Sequence, residues 1–81
     1  GRRPAGKRPI ASYVTGETVL VTGAGGSIGS ELCRQIAALG ADRIILVDHT
    51  ENALVEIERE LAYERRFNST VPVLADVKNR A

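Results

Sequence analysis

Three short apolar runs, separated by two stretches of helical periodicity, set the plan of the chain. Thr18 to Thr22 and Arg43 to Asp48 read as strands, and Val71-Pro72-Val73-Leu74 as a third. Between the first two, Ile28, Leu32, Ile36 and Leu39 recur at the spacing of one helix face, with Cys33 and Ala37 beside them and Glu31, Arg34 and Gln35 outward. Gly40 is the stop signal. In the second helix Thr50 is placed to cap, Glu51 lies in the first turn, and Leu54, Ile57 and Leu61 form the inward stripe. Arg65 and Arg66 suit its C-terminal end, before Asn68-Ser69 breaks it. The order is β-α-β-α-β. Two right-handed crossovers stepping the same way predict a parallel sheet ordered 3-2-1 with both helices on one face. Pro72, which cannot donate to a strand ladder, belongs on the outer edge.

The first strand runs into Gly23-Ala24-Gly25-Gly26-Ser27-Ile28-Gly29 and then directly into a helix. Gly23 can take backbone angles closed to other residues. Gly26 has no Cβ to hold a pyrophosphate away from the main chain, and Gly29 lets the helix lie close to the strand. The N–H groups opening that helix carry a partial positive charge toward an anion, and Ser27 can add a hydroxyl. The spacing is G-x-x-G-x-x-G, a variant of the general dinucleotide fingerprint, so its context of strand, turn and helix carries the assignment. The fold class expected is α/β, a partial Rossmann fold. Because the strands are apolar on both faces while the crossovers cover only one, the 81 residues are expected to form half of a larger doubly wound domain.

Composition narrows the function classes. At 43% hydrophobic and 26% charged the sequence is that of an ordinary globular chain, and at 81 residues it buries a thin core. No apolar run approaches the ~20 residues that span a bilayer. The net charge of +1 hides an asymmetry: residues 1–16 hold Arg2, Arg3, Lys7 and Arg8 and no acid, while the remainder is acidic on balance. Residues 1–16 are read as a basic linker or lead-in, with Ile10, Tyr13 and Val14 able to dock on the domain of residues 17–81. Without interleaved aromatics this segment is not expected to bind nucleic acid, and it lacks the h-region of a signal peptide. Cys33, the single cysteine, suits a reducing compartment.

Asp48 stands at the carboxyl end of the second strand, nineteen residues after Gly29, where a carboxylate can accept hydrogen bonds from the adenosine ribose. That suits NAD, since a 2′-phosphate would meet its charge with no lysine or arginine in the glycine turn or directly after Asp48. His49 follows and can reach the adenosine. Asp76-Val77, at the same sheet edge after the third strand, could accept from the adenine amino group and cover the ring. Neither Tyr13 nor Tyr63 is followed four residues later by lysine, and no acid/base pair, metal cluster or activated nucleophile can be assembled. The piece alone is expected to bind a dinucleotide and to be inactive.

Thr22-Gly23-Ala24-Gly25-Gly26-Ser27-Ile28-Gly29 resembles the T-G-x-x-G-x-x-G turn of the extended short-chain dehydrogenases/reductases. With Val19 to Ile36, Asp48-His49-Thr50-Glu51 and Glu56 to Leu61, the match is similar to the nucleotide-sugar 4,6-dehydratase and epimerase branch of bacterial polysaccharide biosynthesis, UDP-N-acetylglucosamine type. The resemblance runs from about Ile10 to Asp76. It implies that Gly23, Gly26 and Gly29, with Ser27 and Ile28, line a pyrophosphate, that Asp48 and His49 read the ribose, and that Asp76 and Val77 hold adenine. It further implies NAD, with NADP possible, as hydride carrier, catalytic groups and a nucleotide-sugar pocket outside this stretch, and an oligomeric parent chain. The domain would be cytoplasmic, with upstream segments including a membrane anchor. The alternatives are another short-chain dehydrogenase/reductase or a non-catalytic nucleotide-sensing module.

Overall fold

The computed structural model describes residues 11–76, in the order α1 (Ala11–Val14), β1 (Thr18–Thr22), α2 (Ser27–Ala38), β2 (Arg43–Asp48), α3 (Glu51–Glu64) and β3 (Thr70–Leu74). All pairings are parallel and the strand order is β1-β2-β3, the predicted arrangement with Pro72 on an edge strand opposite Leu46. The expected linker over residues 1–9, the expected docking residue Ile10 and Val77, expected at adenine, lie outside the described residues.

Strand alternation sorts the sheet into two unlike faces. On one, Val21 and Leu46 of neighbouring strands and Ile44 beside them meet Cys33 and Ile36 of α2 and Leu54, Ile57 and Leu61 of α3 in a single core. Ile44, Leu46, Leu61 and Cys33 are fully enclosed there, and burial pushes the Cys33 thiol up to about 11, which makes it an inert packing group. The two helices are also joined by Arg34, which pairs with Glu31 on its own helix at 2.9 Å and with Glu60 on α3. The opposite face carries Leu20, Ile45 and Val71 in one row, and among the described residues its outer strands stay open, with Leu20 58% and Val71 41% exposed, while Ile45 is half-buried and Val47 of the central strand is 5% exposed.

α1 and the residues after it belong to the covered side. Val14 packs against the core, the Thr15 hydroxyl donates to the Leu39 carbonyl at 2.7 Å, and Gly16 N–H donates to the Gly40 carbonyl at 2.9 Å. Residues 14–16 are thus stitched to the corner between α2 and β2.

Three local expectations are corrected. The stripe of α2 was expected on Ile28, Leu32, Ile36 and Leu39, but Ile28 and Leu32 are exposed and the inward line runs through Cys33, Ile36 and Ala37. The helix is rotated toward Gly29, the residue that packs on the glycine turn, which swings Ile28 to the far side. Thr50 is the N-cap of α3, yet its hydroxyl makes no cap hydrogen bond. Finally, α3 ends before Arg65 and Arg66: Arg65 is the C-cap, Arg66 takes the left-handed conformation at φ 55°, and Phe67 N–H closes onto the Leu61 carbonyl at 3.0 Å.

Candidate functional site

Both βα turns open at the carboxyl edge of the sheet, the edge where ligands of open α/β folds bind. The first leaves β1 at Thr22 and enters α2 at Ser27. Gly23 has φ 64°, so a glycine is needed for the backbone itself. Ala24 N–H donates to the Val47 carbonyl at 3.0 Å and Gly26 N–H to the Gly23 carbonyl at 3.0 Å, which folds the turn back onto the end of β2. Gly29 is required by packing: a Cβ there would run into the Gly23 carbonyl and stand 3.2 Å from the Ala24 Cα.

Gly26 differs from both. It is the N-cap of α2 with φ −78° and ψ 174°, angles open to any residue, and a Cβ on it would meet only the Gly23 oxygen, at 3.4 Å. Neither backbone nor packing explains why position 26 lacks a side chain. No side chain caps α2 and no acid sits in its first turn, so the positive end of this helix faces outward without a partner of the protein's own. Gly26, Ser27 and Ile28 are all exposed around it.

Asp48 closes the other side. It is the buried charged residue of the core region, 6% exposed, and its two oxygens are held separately: Oδ2 accepts from Gly25 N–H at 2.9 Å and Oδ1 from Thr50 N–H at 3.0 Å. These bonds, the one from Gly25 foremost, hold its carboxyl below the ordinary carboxylate range against the opposing effect of burial. A carboxylate offers about four acceptor sites, of which the Gly25 and Thr50 N–H groups take one each, and the backbone of His49 also acts to lower the pKa. His49 is largely exposed, with Nδ1 3.6 Å from Asp48 Oδ1. Asp76 lies exposed two residues beyond β3, and Ala75 N–H donates to the Asp48 carbonyl at 2.9 Å, so the end of β3 runs beside that of β2.

Gly23, Gly26, Ser27, Ile28, Gly29, Asp48 and His49 therefore gather around the ends of β1 and β2, with Asp76 one strand further along. Sequence reasoning passed over Gly25 and Ala53. Gly25 has a hydrogen bond to Asp48, and a Cβ on it would run into the Ala53 methyl group. The doubled glycine at 25–26, where the motif leaves position 25 free, was the one signal available. Among the described residues no cluster of His, Cys, Asp or Glu could hold a metal ion, and no helix is long and apolar enough to cross a membrane.

Residues 19–81 match the model of a family described as polysaccharide biosynthesis protein. Among individual proteins, the chain is 49% identical over 73 residues to the capsular polysaccharide biosynthesis protein CapD of Staphylococcus aureus, a match over 88% of this chain and 12% of that protein. The chain thus spans about an eighth of the length of that relative. Two solved structures superpose with a TM-score of 0.71 each. One is a short chain dehydrogenase/reductase from Burkholderia phymatum in complex with NAD, 29% identical, covering 82% of this chain and 22% of that one. The other is L-sorbose reductase from Gluconobacter frateurii complexed with NADPH and L-sorbose, 28% identical, covering 79% and 24%.

Proposed function

Since the chain belongs to the polysaccharide biosynthesis protein family, we propose that it supplies the adenosine and pyrophosphate contacts of a nicotinamide dinucleotide in an enzyme acting on a nucleotide sugar. The observation that carries this is Gly26. It is a glycine that neither the fold nor the backbone demands, at the uncapped N-terminus of a helix, where a diphosphate would need to touch main chain. In this proposal Gly23, Gly26 and Gly29 shape the turn, the N–H groups at Ser27 and Ile28 face the diphosphate, and the Ser27 hydroxyl adds a donor. Asp48 accepts from the adenosine ribose through the acceptor positions left by Gly25 and Thr50, with His49 beside it. Asp76 and Val77 would hold adenine.

Asp48 also makes NAD the expected partner over NADP. Its carboxylate is ionised at neutral pH, and no lysine or arginine lies in the turn at 22–27 or in residues 49–53 to offset a 2′-phosphate. When bound, the nicotinamide would take a hydride from the sugar and return it within one turnover, as a 4,6-dehydratase or epimerase requires. Catalytic groups for that step are not among the residues described, which bind and orient the carrier.

The test is titration of the full-length protein with NAD and NADP, beside its Gly26→Val variant. NAD should bind more tightly than NADP. Gly26→Val should lose NAD binding by a factor of roughly 100 or more, about 2.7 kcal/mol, with its unfolding midpoint lowered only modestly, since valine is a poorer N-cap than glycine but its Cβ would meet only the Gly23 oxygen at 3.4 Å. A valine variant that binds NAD as the parent does would refute the proposal.

A further inference from the structure

Gly25 poses a question that the dinucleotide proposal does not answer. Its φ lies outside the left-handed region, unlike Gly23, so the backbone does not call for glycine. Its demand comes from the second βα turn. A Cβ at 25 would run into the Ala53 methyl group and stand 3.2 Å from both the Ala53 Cα and Asp48 Oδ2.

Ala53 is itself held in place. It lies in the first turn of α3, next to Leu54, which is 4% exposed in the core, and Leu54 N–H donates to the Thr50 carbonyl at 3.2 Å. Thr50 N–H is bound by Asp48 Oδ1, and Asp48 Oδ2 binds Gly25 N–H. The glycine turn is thereby pinned twice from the side of α3: by a hydrogen bond through Asp48 and by steric contact with Ala53. Because the hydrogen bond pulls Gly25 inward and the methyl group stops it, the pair defines one position for the segment that leads into Gly26.

We propose that Ala53 is a positioning residue for dinucleotide binding: acting through Gly25, it sets where the Gly26 end of the turn meets the diphosphate. This rests on the dinucleotide reading of the turn and adds to it a residue of α3 that touches no ligand. Its consequence is reciprocal. A methyl group at 25 should be harmful only while a methyl group stands at 53, since without Ala53 Cβ the remaining contacts of 3.2 Å yield to a shift of a few tenths of an ångström.

The experiment measures the dissociation constant for NAD of the full-length protein and its Gly25→Ala, Ala53→Gly and double variants. Gly25→Ala should weaken NAD binding roughly tenfold or more, as expected when a binding element is displaced by a fraction of an ångström. Ala53→Gly, which removes the stop, should weaken NAD binding by roughly threefold or more, and the double variant, in which the methyl group at 25 fills the space vacated at 53, should recover to within about threefold of the parent. Normal affinity in Gly25→Ala or in Ala53→Gly, or a double variant no better than Gly25→Ala, overturns the inference while leaving the dinucleotide site intact. An unsubstituted protein that fails to bind NAD overturns the reading of the site and this inference with it. If Gly25→Ala does not fold, Ala53→Val presses on the same contact from the helix side, and unchanged NAD affinity in that variant overturns the inference equally.

Discussion

The two βα turns stand side by side on one sheet edge, and each leads a parallel strand into a helix, yet they treat the helix N-terminus in opposite ways. At the second turn the protein supplies its own negative charge: Asp48 binds the Thr50 N–H at 3.0 Å and Glu51 lies in the first turn of α3. At the first turn Asp48 reaches only the Gly25 N–H, and the helix end itself is left bare, with a glycine N-cap, no side-chain cap and no acid in the first turn of α2. A helix dipole is neutralised either by the chain or by something brought to it. In the proposed reading, the same supersecondary unit becomes a structural joint at one turn and an anion site at the other, according to a handful of side chains at the strand-helix junction.

The sharpest way to break the contrast is at Gly29, where the first turn is closed by main chain on main chain. Gly29→Ala should destabilise the protein by about 3 kcal/mol, because the new methyl group meets the backbone of Gly23 and Ala24, which cannot swing aside. The better helix propensity of alanine offsets only about 1 kcal/mol of such strain. Urea unfolding of the full-length protein measures the difference, and a change below about 1 kcal/mol would mean that helix and turn are not in the contact described.

The second turn should reveal itself through pH. Bonded to two N–H groups, Asp48 has a folded-state pKa below its unfolded value of about 3.9, so its contribution to stability is fully present above about pH 4 and is lost as the pH falls through the folded value. Asp48→Asn should lower the melting temperature at pH 7, since its amide presents a donor to one of the two N–H groups, and the gap to the parent should narrow below pH 4. Parallel melting curves from pH 7 to pH 3 would show that Asp48 is not the latch between the turns.

The smallest effect is expected at Thr50. Its hydroxyl makes no cap hydrogen bond, so Thr50→Ala should change stability by less than about 0.5 kcal/mol, where a working cap would cost about 1. A thermal shift measurement suffices, and a loss of a full kilocalorie would restore Thr50 as a true cap.

What was legible in the amino-acid order was what depends on near neighbours. β1 and β2 begin and end where their apolar runs do, because a short continuous apolar run bounded by turn residues marks a strand from its near neighbours alone. Gly23 could be named for its backbone and Asp48 for its place at a strand end, since both follow from local chemistry. The stripe of α2 was misjudged because hydrophobicity identifies candidates for burial, whereas the rotation of the helix is fixed by Gly29 sitting on the Gly23 carbonyl. In the same way Thr50 had the residue type of a cap and stands at the cap position, but its hydroxyl bonds no N–H of the first turn of α3.

By itself, then, the order of residues determined a three-stranded parallel α/β unit with a glycine turn and an acid at neighbouring strand ends, since periodicity and handed crossovers leave few other arrangements. Tertiary structure alone decided that Gly25 and Ala53, twenty-eight positions apart, touch, and that the carboxylate of Asp48 spans the two turns. Contacts of that kind come from packing two crossovers on one face of a sheet, and no local rule for either residue contains the other.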